Sequence, residues 1–386
     1  MRAQSGRGQS SRARSGRAQS SRAQSSRAQS SRALVGGVAA ALGLTLAGCT
    51  TVNPHYDPTR AHHRPGGFQN IDPAAHMPRP FAEFLRWQRE RARLTIAPPV
   101  VDLSVAAPPL AAIHANRDAL AVTWIGHATA LVQIAGVNVL TDPVFSERAS
   151  PVQWAGPRRW QPPGLRADQL PHIDVVLVSH NHYDHLDAAS IAALAAQPGG
   201  PPLFVVPLGL ERWFTAAGVQ SVRWLDWWQS LQVDGLTITL TPAQHWSRRS
   251  YGDTMTTLWG GFVVESAPRH GRPGLRVFFA GDTGYSVQHF RAIGARFAPI
   301  DLALIPIGAY EPRWFMRMQH VDPAEAVQVH RDVGSRASLG IHWGTFPMTD
   351  EPLDAPLRDL DAARRAMGVG AEEFRTLRHG QRWVVR

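Results

Sequence analysis

The sequence predicts an α/β fold that carries its working residues at the ends of strands. Three observations lead there. Short β-branched and apolar runs alternate with helix-type segments from about residue 120 onward. Runs near 174–179, 236–240, 275–280 and 339–343 each lead into a histidine or an aspartate. The first of them ends in Ser179-His180-Asn181-His182-Tyr183-Asp184-His185, with three histidines and an aspartate within six residues. Sheet edges are where α/β folds place their chemistry.

Taken in order, residues 1–32 repeat Ser-Arg-Ala-Gln-Ser with little variation and no apolar periodicity, so no packed structure is expected there. This stretch is either a basic leader or the product of a start codon chosen too far upstream. Residues 33–46 are apolar but short for a spanning helix, and Leu46-Ala47-Gly48-Cys49 follows. That ending resembles a bacterial lipoprotein signal, which implies a lipidated Cys49 as the mature N-terminus. An ordinary signal peptide or a membrane anchor is the alternative. Thr50 stands where aspartate would signal inner-membrane retention, so the resemblance favours the outer membrane of a bacterial envelope. The organisation expected is a leader over 1–49, a tether and N-terminal arm over 50–118, and a compact domain over 119–386.

Residues 50–78 are rich in proline, histidine, glycine and asparagine, and read as a tether or wrapping arm. His55, His62, His63 and His76 are expected to be solvated there. A short amphipathic helix follows near 81–94, with Phe81, Phe84, Leu85 and Trp87 on or near one face. In the domain, 121–125 is a strand, and 130–134 and 137–140 form a hairpin around Ala135-Gly136. Residues 143–170 have few element signals; a long irregular loop in a compact domain is usually functional, and this one is read as covering the site. Helices are expected at 188–196, 209–217, 323–333 (capped by Asp322) and 356–367. Strands are expected at 203–206, 221–225, 236–240, 257–265, 275–280, 302–306, 339–343 and 382–385.

The net charge of +10 looks like a hint of nucleic acid, but eight arginines and no acid lie in residues 1–48, and the remainder is close to neutral. No nucleic-acid partner is expected. Cys49 is the one cysteine, so no internal disulfide forms and no thiolate ligand is available to the domain.

Alternate residues of the extended 180–185 loop point to one side, so His180, His182 and Asp184 converge while the adjacent His185 points elsewhere. That suits two neighbouring metal ions better than one. Imidazole with carboxylate suits zinc first, or iron or manganese. His245, Asp282 and His342 follow later strands and complete seven candidate ligands. Singly, Asp282 could be a turn residue, and His245 or His342 a core histidine.

The order His-x-His-x-Asp-His, His, Asp, His resembles the metallo-β-lactamase superfamily, which implies a four-layer αβ/βα sandwich with a binuclear metal site. Longer segments resemble the N-acyl-phosphatidylethanolamine-hydrolysing phospholipase D family. These are Trp-Ile-Gly-His-Ala-Thr (124–129), Thr-Asp-Pro-Val-Phe (141–145), the 179–185 loop, Gln-His-Trp (244–246), Phe-Ala-Gly-Asp-Thr-Gly-Tyr (279–285), Ile-Gly-Ala-Tyr-Glu-Pro-Arg-Trp-Phe-Met (307–316), Gln-His-Val-Asp-Pro (319–323) and Ile-His-Trp-Gly-Thr-Phe (341–346). The resemblance covers roughly residues 75–386. The 309–316 and 319–323 segments are more specific than the ligand set.

The resemblance implies one metal on His180, His182 and His245, another on Asp184, His185 and His342, and Asp282 between them. It implies hydrolysis of an N-acyl-phosphatidylethanolamine-like phospholipid to phosphatidic acid and an N-acylethanolamine, by a hydroxide shared between the metals. Asp184 would also orient that hydroxide, and His320 would serve as proton donor. Gln319, Arg313, Trp314 and Tyr183 would contact substrate, Arg313 being a phosphate ligand or a salt-bridge residue. His127 reads either as support for the ligands by hydrogen bonding or as a buried structural residue. Tryptophans 154, 160, 213, 227, 228, 246, 259 and 314 suit a lipid substrate or a core. The animal relatives are dimers, which suggests a homodimer. The lipoprotein-like leader departs from their pattern. Competing readings are a lactonase or sugar-phosphate hydrolase on the same scaffold, and a non-catalytic envelope lipoprotein.

Overall fold

A computed structural model describes residues 52–385 except His76, His270 and Arg272. The leader, the apolar segment and Cys49 lie outside the described residues, as does His76. Two seven-stranded sheets dominate. The first runs Arg382–Val384, Ala121–Gly126, Thr129–Ile134, Val137–Thr141, Val175–Leu177, Leu203–Pro207, Val222–Leu225. Its pairings are antiparallel up to Val137–Thr141 and parallel beyond. The second runs Phe374–Arg375, Ser338–Ile341, Leu302–Pro306, Arg276–Phe279, Gly261–Ser266, Leu236–Thr241, Ser230–Val233, parallel on one side of Arg276–Phe279 and antiparallel on the other.

Alternation along the strands sorts side chains between two cores. Val122, Trp124 and Val132 of the first sheet join Ile238, Leu240, Phe262 and Phe278 of the second in one cluster. Ile125, Leu131, Leu140 and Val176 face the other way, against Ile191, Leu194 and Phe214 of the helices Ala188–Ala195 and Glu211–Ala216. Burial on both faces is why these strands read as continuous apolar runs. The helix Pro323–Asp332 packs against the helices Val287–Phe297 and Ala355–Met367 and on strand Leu302–Pro306 of the second sheet. The layers are helix, sheet, sheet, helix, as the resemblance implies.

Several expected elements form for the reasons given. The hairpin turns at Ala135 and Gly136, with φ of 52° and 88°, the two positive angles that a tight two-residue turn needs. Asp322 caps Pro323–Asp332 through Glu325 N at 2.8 Å, and Glu325 Oε2 accepts back from Asp322 N at 3.2 Å. The expected strand over 257–265 starts only at Gly261. Before that, Leu258 N and Gly260 N donate to Leu208 O and Ser179 O of the first sheet's loops instead of to a ladder. The helix Val287–Phe297 and the strand Ser230–Val233 were not anticipated.

Residues 52–118 lie against the sandwich. His62 and His63 are buried, not solvated, because both ring Nε2 atoms bond the buried Asp226 at 2.6 and 3.1 Å. Phe68 is fully buried and Phe68 N donates to Met255 O. Of the apolar face expected on helix Phe81–Arg91, only Trp87 is buried, stacked on Phe315 at 5.0 Å. Phe81 is 71% exposed. Trp227 and Trp259 belong to the core, whereas Trp154 and Trp160 on the irregular 143–170 loop are exposed. That loop is tied to the segment after His342 by Trp160 N donating to Thr345 O at 2.7 Å.

Candidate metal centre

The seven candidate ligands meet where strand ends of the two sheets face each other. Strand Val175–Leu177 delivers His180 to His185. Strands Leu236–Thr241, Arg276–Phe279 and Ser338–Ile341 of the other sheet deliver His245, Asp282 and His342.

His180, His182 and His245 bring ligand atoms within 4.8 Å of one another, as do Asp184, His185 and His342 together with His127. In the first group His180 Nε2 lies 2.8 Å and His245 Nε2 3.3 Å from His182 Nδ1. In the second, His185 Nε2 and His342 Nε2 are 3.2 Å apart, and Asp184 Oδ2 is 3.3 and 3.5 Å from them. Asp282 stands between the groups. Its carboxylate is 3.0 Å from His185 Nε2, 3.2 Å from His342 Nε2 and 4.0 Å from His245 Nε2.

The far side of the rings decides which nitrogen faces inward. His185 Nδ1 is 2.6 Å from Asp142 Oδ2, and His245 Nδ1 is 3.0 Å from Gln319 O. A carbonyl or carboxylate there holds the proton on Nδ1 and leaves the Nε2 lone pair inward. Asp142 organises more than one ligand. It also accepts from Ser179 N at 2.7 Å and Ser179 Oγ at 2.6 Å, pinning the start of the loop. Arg249 braces the loop's other end, donating to Asn181 O and Leu186 O with its guanidinium 4.1 Å from the Tyr183 ring. His127 and His342 both sit at positive φ, 53° and 64°, and His342 N donates to His127 O at 2.9 Å. Backbone held in that region costs of order 1–3 kcal/mol and collects at functional sites. Gly281, at φ 62°, has Ser179 Cβ where its own Cβ would be, at 2.7 Å. A side chain there would push the Asp282 turn off the metal loop.

The electrostatics fit a cation. Burial lowers His180, His182, His245 and His320, with His182 at about 3 and His245 at about 4, so these rings are neutral. Burial opposes charge on His185 and His342 too. Asp282 and Asp184 overcome it, holding His185 well above its ordinary value and His342 at about 9. Burial likewise favours neutral Asp184 and Asp282, but His185 and its neighbours keep both well below the usual carboxylate range. The carboxylates therefore demand positive charge at this point. The neutral rings of His180, His182 and His245 turn ring nitrogens toward it, and Asp282 Oδ1 is buried there without a hydrogen-bond partner. Divalent ions supply that charge and take lone pairs at once.

The residues expected at the substrate have mixed placements. His320 is adjacent, with Nδ1 unpartnered 3.8 Å from Asp282 Oδ2. Gln319 acts on the centre through its main-chain carbonyl, while its amide lies on Met316 Sδ at 3.2 Å. Of the two roles expected for Arg313, the structure shows the salt bridge. Its three nitrogens engage Asp322 at 3.3 Å, Glu325 at 2.7 Å and His320 O at 2.9 Å, so it holds His320 in place. Trp314 is covered by the arm, with Arg86 4.2 Å over its ring and Arg79 on its carbonyl. Tyr183 Oη donates to Arg249 O at 2.9 Å. His127 Nε2 is 2.9 Å from Asp184 Oδ2, the supporting contact expected of it. Asp142, Arg249 and Asn70, which contacts His245, were not singled out from the sequence. Asp142 alone carried a signal, an aspartate before proline at the end of a buried strand.

Residues 137–343 match the model of the beta-lactamase superfamily domain. The chain is 42% identical over 283 residues to N-acyl-phosphatidylethanolamine-hydrolyzing phospholipase D 1 of Caenorhabditis elegans, covering 69% of this chain and 76% of that protein. It is 40% identical over 334 residues to an uncharacterized protein of Mycobacterium tuberculosis, covering 85% of each. Among solved structures, a metallo hydrolase of the archaeon Ignicoccus hospitalis superposes with a TM-score of 0.53 at 22% identity, over 70% of this chain and 99% of that one, and shares the fold. With the strand-end histidines and aspartates arranged as described, the chain belongs to the metallo-β-lactamase superfamily, as a metal-dependent hydrolase similar to the N-acyl-phosphatidylethanolamine-hydrolysing phospholipases D.

Proposed function

We propose that this protein is a phosphodiesterase of phospholipase D type. It would hydrolyse N-acyl-phosphatidylethanolamine-like phospholipids to phosphatidic acid and an N-acylethanolamine. The observation that carries the reading is a pair of imidazole–carboxylate clusters sharing Asp282, in a chain 42% identical to a worm enzyme named for that reaction. His180, His182 and His245 would hold one divalent ion, and Asp184, His185 and His342 the other, with Asp282 reaching both and zinc as the first expectation. Such a pair activates water at neutral pH and stabilises charge on phosphoryl oxygens.

The chain's own residues supply the rest. His127 and Asp142 orient Asp184 and His185 from behind. In the reaction the oxygen of water joins phosphorus, the bond from phosphorus to the ethanolamine oxygen breaks, and the leaving oxygen needs a proton. His320, which is not among the seven candidate ligands, carries an unpartnered ring nitrogen 3.8 Å from Asp282 Oδ2. Burial keeps His320 neutral, so it would relay a proton, accepting on one nitrogen and releasing from the other, and would not start out as imidazolium.

The same reading places the protein at a bacterial membrane, anchored by a lipidated Cys49 with the outer membrane favoured, as a homodimer without a nucleic-acid partner. The exposed Phe81, Phe84 and Leu85 suit that surface. No helix among the described residues is long and apolar enough to cross a membrane. Residues 1–49, 50–118 and 119–386 would serve as leader, arm and hydrolase domain.

The test is product analysis by mass spectrometry on N-acyl-phosphatidylethanolamine, with zinc-loaded enzyme and with chelator. Phosphatidic acid and N-acylethanolamine are expected from the loaded enzyme alone. Absence of phosphatidic acid from it rejects the reading and leaves lactones or sugar phosphates as substrates. For the anchor, Cys49→Ala is expected to abolish palmitate labelling in a bacterial host, and persistent label rejects lipidation there.

A further inference from the structure

We propose that Asn70, on the N-terminal arm, is a positioning residue of the metal centre. The proposal rests on His245 being a metal ligand. His245 lies four residues past the end of strand Leu236–Thr241. Its neighbour Gln244 is tied to the Asp282 turn, with Gly284 N donating to Gln244 O at 2.8 Å and Gln244 N to Thr283 Oγ1 at 3.0 Å. His245 itself has no main-chain partner among the described residues. Asn70 supplies both. His245 N donates to Asn70 Oδ1 at 3.1 Å, and Asn70 Nδ2 donates to His245 O at 2.9 Å.

A carboxamide joined to one residue's N–H and C=O does what a neighbouring strand does, with two bonds that fix position and rotation together. The N–H and C=O it faces also fix which end of the amide is oxygen. The second hydrogen of Nδ2 goes to Ala75 O at 3.0 Å, so both amide hydrogens are used and the group has one orientation. The ring of His245 is then held separately by Gln319 O. Main chain and ring are gripped from two directions, and Nε2 is left aimed at the centre.

The grip is only as good as the arm, and the arm is anchored on both sides of Asn70. His62 and His63 bond Asp226, Gln69 N donates to His62 O, and Phe68 is fully buried. Trp87 stacks on Phe315 within the Arg313–Met316 helix, four residues before Gln319. The arm thus reaches His245 directly. Groups that orient metal ligands typically change metal affinity 10–100-fold when removed.

The experiment is zinc titration of the full chain against a chromophoric chelator, counting equivalents, on wild type, Asn70→Ala, Asn70→Asp and His245→Ala. Asn70→Asp keeps the oxygen acceptor and the volume and loses both Nδ2 bonds, so it reports on position should Asn70→Ala fail to fold. The expected result is one zinc equivalent weakened about 10–100-fold in the Asn70 variants, the same equivalent that His245→Ala weakens, with the other at wild-type affinity. Melting of the metal-free protein followed by circular dichroism separates a structural effect. If the Asn70 variants bind both equivalents as wild type does while His245→Ala weakens one, the proposal is overturned. It is also overturned if both equivalents weaken together with a loss of metal-free stability. If His245→Ala leaves both equivalents unchanged, the ligand assignment fails and the proposal with it.

Discussion

Two buried groups of histidine and aspartate lie among the described residues, and they are built oppositely. At His62, His63 and Asp226 the residue types and burial are those of a metal site. Every inward atom there is already engaged. Asp226 Oδ1 accepts from His62 at 2.6 Å and from Trp227 N at 2.8 Å, and Oδ2 from His63 at 3.1 Å with Arg60 3.2 Å away. Asp57 N donates to His63 Nδ1, so the proton of that ring is on the Asp226 side. At the strand-end centre the outward nitrogens of His185 and His245 are engaged, and the inward nitrogens of five histidines crowd one another around Asp184 and Asp282. Ligand type and burial do not separate the two. The side of the ring that carries the proton does. One group is a staple holding the arm; the other is shaped for cations.

That contrast can be broken. The largest effect expected is on Asp282, which has no equivalent in the staple. Asp282→Asn should lower turnover by more than about 100-fold, the scale for losing one preorganised electrostatic contact, while the circular dichroism spectrum stays native. Near-wild-type turnover would remove Asp282 from its place between the clusters. Chelation should separate the two groups next. Metal removal is expected to abolish hydrolysis and to leave the arm protected from limited proteolysis, because the atoms of the staple are already engaged with one another; release of the arm by chelator would mean that the staple holds an ion.

A third substitution addresses the staple. Asp226→Asn takes the carboxylate away from Arg60 and from the ring nitrogens of His62 and His63, and should cost about 3 kcal/mol in denaturant unfolding with zinc stoichiometry unchanged. A lost zinc equivalent would contradict the comparison. The smallest effect is in pH. Burial holds the His63 imidazole below its ordinary value, so below about pH 6.5 the unfolded chain binds the proton that the folded one does not. Burial tends to raise Asp226, but His62 and His63 outweigh it and lower its carboxyl. Its contribution is present above the unfolded carboxylate range and is lost as pH falls through the folded value. Both terms make acid unfavourable to the staple. His63→Gln should therefore show a shallower loss of melting temperature between pH 7 and 5 than wild type, and an unchanged slope would show that His63 does not titrate there.

Much of the fold was readable locally. Strand runs such as 121–125 and 302–306, the Ala135-Gly136 turn and the Asp322 cap carry their reasons within a few residues. The helix Val287–Phe297, not anticipated, nonetheless carries a local signal in Phe290, Ile293 and Phe297, all buried at helical spacing. Its Gly294 hides a tertiary reason, since a Cβ there would stand 2.1 Å from Asp332 O of the neighbouring helix. The start of Gly261–Ser266 was not readable, because residues 258–260 bond to loops of the other sheet. His62 and His63 in a polar stretch gave no sign of Asp226, more than 160 residues away.

By itself the sequence determined the donor set and its family. His180 to His185 are neighbours because six residues of loop can hardly separate them, and three later strands each end in one more donor. Only the tertiary structure decided which nitrogen of each ring faces inward, that Arg313 braces His320, and that Asn70 holds His245. The reason is physical. Spacing along the chain sets which side chains are near one another, but a proton's place on an imidazole depends on the atom across from it. Here that atom is a carboxylate 43 residues away, brought beside His185 by the pairing of strands Val137–Thr141 and Val175–Leu177, or a carbonyl 74 residues away that follows another strand of the sheet that delivers His245.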